Sequence, residues 1–134
     1  MEENDQKKLN TAGTANDIKC FKEKPIDERR ERLAKLLEKN PNKVPIIFEK
    51  HARSRLGESA ALKFMSTPSL TLSYFANQIR TALQLPSETA LFFSTANCKI
   101  IRHTSMIGDL YESDKDPDGF LYVQYREIET FGHR

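Results

Sequence analysis

The order of periodic segments in this chain predicts an α+β roll in which a sheet wraps one main helix. Three observations carry that prediction. Leu72, Phe75, Ala76, Ile79, Ala82 and Leu83 recur at spacings of three and four, the apolar stripe of a buried helix. Short branched or aromatic runs stand on both sides of it, two before and three after, each of strand length. A charged stretch with Ile26, Leu33, Leu36 and Leu37 at helical spacing precedes them all. With 134 residues, 38% of them hydrophobic, the chain fits one domain with some excess.

The excess lies first at the N-terminus, where residues 1–16 have almost no apolar spacing and are expected to form a flexible arm. Asp17 is placed to cap a helical turn through Phe21, and a longer helix is expected after Pro25, so that residues 17–40 form a helical pair. Pro41 disfavours helix at Asn40. Residues 41–125 are expected to form the core. Within it Lys43–Lys50 suits a strand, with Pro45 unable to donate a ladder hydrogen bond. After a polar loop containing Gly57, Leu62–Ser66 suits a second strand, whose alternation puts Lys63 and Met65 on one face. Thr71 is placed to cap the main helix. Leu91–Thr95 and Ile100–Ile101 read as strands joined by a turn at Asn97-Cys98-Lys99, and Met106–Tyr111 as a brief helix. Asp116-Pro117-Asp118-Gly119 is turn chemistry, and Phe120–Tyr125 reads as a final strand covered on both faces. Residues 126–134 are expected to be a mobile tail.

Composition narrows the function classes. No run reaches the roughly 18 apolar residues of a membrane span, and the polar N-terminus lacks a secretory signal, so a cytoplasmic protein is expected. Cys20 and Cys98 sit in no CxxC or Cys/His metal spacing, and reduced thiols are expected, with no metal or cofactor. The net charge is only +2, but bases dominate from Lys19 to Lys63 and acids from Asp109 to Glu129. Such a basic half suits an acidic peptide, an anionic membrane or a microtubule. Aromatics that would stack bases are sparse in it, which argues against nucleic acid. Cys98 with His103 does not make a hydrolase, because nothing in the sequence places a base and an orienting group around the thiol. No enzymatic activity is expected.

Particular blocks are recognisable. Phe21-Lys22-Glu23 with Arg29-Arg30, then Lys43-Val44-Pro45-Ile46-Ile47 and Glu49-Lys50, resemble the autophagy modifier family of GABARAP and microtubule-associated light chain three. Ala90-Leu91-Phe92-Phe93, Gly108-Asp109-Leu110-Tyr111, Phe120-Leu121-Tyr122-Val123 and Thr130-Phe131-Gly132 follow in the family's order. The resemblance runs from Phe21 to Arg134 and implies a ubiquitin-like β-grasp roll preceded by two N-terminal helices. There are departures. One residue is lost before Pro25 and one gained between Thr95 and Gly108, Ala61 and Ala82 stand where relatives commonly carry bases, and the proline of Thr67-Pro68 is shifted by one place.

What the resemblance implies is a substrate and tag. A cysteine protease would cut between Gly132 and His133, activating and conjugating enzymes would carry Gly132 as thioesters, and phosphatidylethanolamine would receive it, placing the protein on the autophagosome membrane. Glycine suits that role because the absent Cβ opens the path of a thiolate to its carbonyl. Residues Arg126 to Phe131 would span roughly 20 Å if extended. The resemblance also implies docking of cargo receptors that bear an aromatic residue followed three places later by an aliphatic one. It assigns the aromatic pocket to Arg32, Leu36, Pro45, Lys63, Met65 and Phe120, and the aliphatic pocket to Phe64, Leu70 and Phe75. Lys43 and Arg80 are candidates for acidic flanks. The alternatives are a modifier joined to a protein lysine and a microtubule or basic-patch module. The lysine-joined relative lacks the N-terminal helical pair and ends at its glycine.

Overall fold

In the computed structural model, residues 22–51 and 61–128 are described. The elements are α1 (Ile26–Lys39), β1 (Val44–Lys50), β2 (Leu62–Ser66), α2 (Leu72–Ala82), β3 (Ala90–Thr95), β4 (Ile100–Ile101), α3 (Ile107–Asp114) and β5 (Leu121–Ile128). The expected arm, the turn from Asp17 to Phe21 and the loop at Gly57 lie outside the described residues.

The strands form one sheet in the order β2-β1-β5-β3-β4. β1 and β5 are parallel at its centre, and β2 and β3 are antiparallel to them. Register fixes which side chains share a face. Ile46 stands beside Phe64 and Leu121, whereas Ile47 stands beside Lys63 and Tyr122. Because side chains alternate along a strand, the even positions of β1 and β2 face one way and the odd positions the other.

The even face of β1 and β2 joins the larger core. Val44, Ile46, Phe48, Leu62 and Phe64 pack there with Leu72, Phe75, Ala76 and Ile79 of α2 and with Leu91, Phe93, Leu121, Val123 and Tyr125. Phe48 sits among the rings of Phe64, Phe75 and Phe93, with centroids 5.9, 5.3 and 5.9 Å away. The opposite face carries a smaller cluster, in which Leu33 of α1 meets Ile47, Ala61, Phe120 and Tyr122, with Leu36 and Leu37 at its margin.

Two elements run longer than the apolar pattern indicates. α3 continues to Asp114, and its polar last turn is closed by Ser113 Oγ donating to the Asp109 and Leu110 carbonyls. β5 continues to Ile128, so residues 126–128 are strand and not the start of the expected mobile tail: Arg126, Glu127 and Ile128 pair with Phe92, Leu91 and Ala90. Neither polar tail repeats an apolar period, so both were silent in the sequence. Pro45 lies one residue before the pairing to β5 begins at Ile46, where a missing N–H is tolerated.

The helix starts also differ from expectation. Thr71 occupies the N-cap position of α2 but makes no side-chain cap hydrogen bond. Instead Leu72 N and Ser73 N donate to the carbonyls of Ser105 and His103 at 3.1 and 2.9 Å. The start of α3 is capped in return, with Ile107 N and Gly108 N donating to the carbonyls of Leu70 and Pro68, both at 2.8 Å. Each helix therefore finds its acceptors in the main chain that leads into the other, and a Thr71 hydroxyl is not needed.

Candidate functional site

β2 ends the sheet on one side, and among the described residues nothing pairs with its outer edge. Its side chains divide the expected binding residues between the two faces. Lys63 is half-buried on the α1 side, and its ammonium is held below the ordinary lysine range by burial and then by the nearby Arg32 guanidinium. Arg32 is exposed on α1, and Leu36 lies half-buried at the margin of the smaller cluster that includes Phe120. On the other face Phe64 meets Phe75 at 5.0 Å between ring centroids, and Leu70 packs at the margin of that core. The structure thus gathers the aromatic-pocket residues near α1 and the aliphatic-pocket residues near α2.

Burial differs sharply among them. Phe64, Met65, Phe75 and Phe120 are 0 to 1% exposed, and Pro45 is buried as well. An aspartate at Met65 would be desolvated in the unbound protein and would damage the fold. Lys43 is half-buried just before β1. Arg80 is committed within the domain, with its guanidinium donating to Asn77 Oδ1 at 3.3 Å and the Thr89 carbonyl at 2.9 Å. Gly132 and His133 lie outside the described residues.

The wall that carries Arg32 and Leu36 is tied by Arg29 and Arg30 to the 116–119 segment, whose sequence signals only a turn. Asp118 is fully buried, and Oδ2 accepts from Arg29 Nη1 at 2.8 Å and from the Tyr122 hydroxyl at 2.7 Å. Its Oδ1 accepts the Phe120 amide at 2.8 Å. Burial and then the Asp118 carboxylate push the Tyr122 phenol far above the ordinary tyrosine range. Beside them Lys22 Nζ pairs with Asp116 at 2.8 Å and lies 3.8 Å over the Tyr122 ring. Burial alone would raise the Asp116 carboxyl, but the bonds from Lys22 and the Asp118 amide outweigh it and hold it below the ordinary range. Arg30 adds two 3.2 Å bonds to the Pro117 carbonyl. The Arg29-Arg30 pair and the two aspartates of the turn were the available sequence signal; only their juxtaposition was missing.

Among the described residues nothing similar surrounds the Cys98 thiol. Cys98 is exposed in the β3 to β4 turn with φ of 66°. His103 Nε2 lies 2.8 Å from the Leu91 carbonyl, so that nitrogen carries a proton for it, and the ring packs on Phe93. His103 acts as a cross-link between β3 and the start of α2.

Comparison with known proteins decides what this sheet and its edge belong to. A family model described as "Autophagy protein Atg8 ubiquitin like" matches residues 28–132. The chain belongs to the Atg8 family. Autophagy-related protein 8 of Candida glabrata is 34% identical over 112 residues, covering 84% of this chain and 94% of that protein. Autophagy-related protein 8d of Arabidopsis thaliana is 34% identical over 117 residues, covering 86% and 96%. The crystal structure of Trypanosoma brucei ATG8 superposes with a TM-score of 0.72 at 37% identity, covering 81% of this chain and 93% of that one. The fold is ubiquitin-like, as the resemblance implied, and the protein is an autophagy ubiquitin-like protein. Atg8 relatives are modifiers, and the Atg8 match runs from α1 through β5 to Gly132.

Proposed function

We propose that this Atg8-family chain is cut after Gly132 by a cysteine protease, carried as a thioester by activating and conjugating enzymes, and joined through Gly132 to phosphatidylethanolamine. It is cytoplasmic until lipidation fixes it to the autophagosome membrane, where it docks cargo receptors in autophagosome formation. The domain reading goes with this: an arm at 1–16, a helical pair at 17–40 and a tail that delivers Gly132.

One observation carries the docking half. The two sets of pocket residues lie on opposite faces of the sheet beside its open edge strand. A peptide added along β2 alternates its side chains, so residues three apart point to opposite faces. An aromatic residue entering on the α1 side therefore sends the aliphatic residue three places later to the α2 side. Met65, Phe64, Pro45, Phe75 and Phe120 form the apolar floor in this reading, with Lys63, Arg32 and Lys43 set for acidic flanks.

The lipidation half is supported by the extent of the family match and by the end of β5 at Ile128. From there Glu129 to Gly132 would span roughly 13 Å if extended, enough to enter a partner's cleft. The test is the intact mass of the protein recovered from starved cells. Wild type is expected to lose His133-Arg134 and to gain the lipid, while Gly132→Ala keeps its full mass and stays off membranes. A Gly132→Ala chain that is trimmed and lipidated at the normal rate would refute the assignment, and a mass increment of a protein would indicate lysine conjugation instead.

A further inference from the structure

The reciprocal caps bring α3 against the segment that ends the aliphatic pocket. Gly108 is the second residue of α3, and its amide donates to the Pro68 carbonyl at 2.8 Å. A Cβ at this position would stand 2.9 Å from Pro68 Cβ and 3.2 Å from Pro68 O. Neither neighbour is the far end of a flexible side chain; one belongs to a pyrrolidine ring and the other to the main chain. The same segment is tied by Leu70 N to the Thr67 carbonyl at 3.2 Å, by the Leu70 carbonyl to Ile107 N at 2.8 Å, and by a bridge from Thr71 to Met106. Thr67 to Thr71 is therefore seated on the start of α3, and the seat is as close as it is because residue 108 has no side chain.

We propose that Gly108 is a positioning residue that sets the depth of the aliphatic pocket. It touches no peptide. By letting Pro68 approach α3 it holds Leu70 at the margin of the Phe64 and Phe75 cluster, and any side chain at 108 displaces Leu70 and spoils the fit to a branched residue. This inference rests on the docking reading above and goes beyond it, because it assigns specificity to a glycine on a different element. Backbone strain is not the cause, since helix propensity by itself favours alanine over glycine in α3. A loss of selectivity on adding one methyl would report the contact with Pro68.

The experiment uses the full chain and three synthetic peptides, Trp-x-x-Leu, Trp-x-x-Ala and Ala-x-x-Leu, titrated by calorimetry. Wild type is expected to prefer the leucine peptide over its alanine counterpart by about tenfold or more, the scale of a lost apolar side chain in a pocket. In Gly108→Ala that preference is expected to fall to about twofold, while the preference for tryptophan over alanine is retained, since overpacking acts locally. Pro68→Gly combined with Gly108→Ala removes the opposing Cβ, the nearer of the two contacts, and is expected to recover most of the leucine preference. Pro68→Ala with Gly108→Ala keeps that Cβ and is expected to stay impaired. The double variants keep the test readable if Gly108→Ala alone does not fold. Undiminished leucine preference in Gly108→Ala, or failure of Pro68→Gly to restore it, would overturn this inference alone. Wild-type indifference to all three peptides would overturn the docking reading with it.

Discussion

The two faces of the sheet are held by different forces. On the α2 side apolar side chains from β1, β2, β3, β5 and α2 close over one another, and the rings around Phe48 are fully buried. On the α1 side Leu33 is the one helix residue among those described that is buried, Leu36 and Leu37 pack at the margin of its cluster, and Arg29 and Arg30 add charge-assisted bonds to the 116–119 turn. Hydrophobic burial is non-directional and shared among many residues. Charge-assisted hydrogen bonds depend on single atoms at fixed distances. The α1 side is therefore the one that a single polar substitution can release, and it is also the side that carries Arg32, Leu36 and Lys63. Firm scaffold and adjustable wall meet at β2.

The largest effects should separate these two modes. Phe48→Ala is expected to cost about 3 to 5 kcal/mol, because a cavity opens at the centre of the aromatic cluster. Asp118→Ala is expected to cost a similar 3 to 5 kcal/mol, because Arg29 would keep its charge without its buried partner. Hydrogen exchange distinguishes them. Phe48→Ala should raise exchange across β1, β3 and β5 together, whereas Asp118→Ala should open α1 amides first and leave the strands protected. Equal opening of helix and strands in Asp118→Ala would show that the two faces unfold as one unit.

A smaller effect is expected at Lys63. Reversing its charge with Lys63→Glu should weaken peptides with acidic flanks by roughly two- to fivefold at low salt, given the modest worth of partly exposed pairs. The loss should shrink as salt rises, and neutral peptides should change little. Equal losses for acidic and neutral peptides at every salt concentration would point to packing instead.

The smallest concerns Asp116, whose carboxyl is held below its ordinary value of 3.8. A depressed folded value means that the unfolded chain binds the proton more readily, so the contribution is present above pH 3.8 and is lost as pH falls through the lower folded value. Since Lys22 is substantially exposed, that contribution is under about 1 kcal/mol. Urea midpoints of Asp116→Asn and wild type should differ slightly at pH 6 and converge in strong acid. A gap that widens on acidification would reverse the sign of this argument.

Local regularity in the chain was enough to place α1, β2, α2, β3 and β4 close to their observed bounds, because apolar spacing and turn residues act over a few positions. The blocks that resemble the Atg8 family did the rest for fold and family, since so many in order specify one architecture. Tertiary structure decided what no local pattern encodes. The polar end of β5 is ordered by pairing with distant β3, and Thr71 is relieved of capping by carbonyls more than thirty positions away. The split of the pocket residues between two faces follows from β2 lying beside β1 at a sheet edge. Asp118 became a buried anchor and Gly108 a point of close approach only when the chain brought Arg29 and Pro68 to them. A charge or a missing methyl has meaning through its neighbours in space, and those neighbours are fixed by the fold.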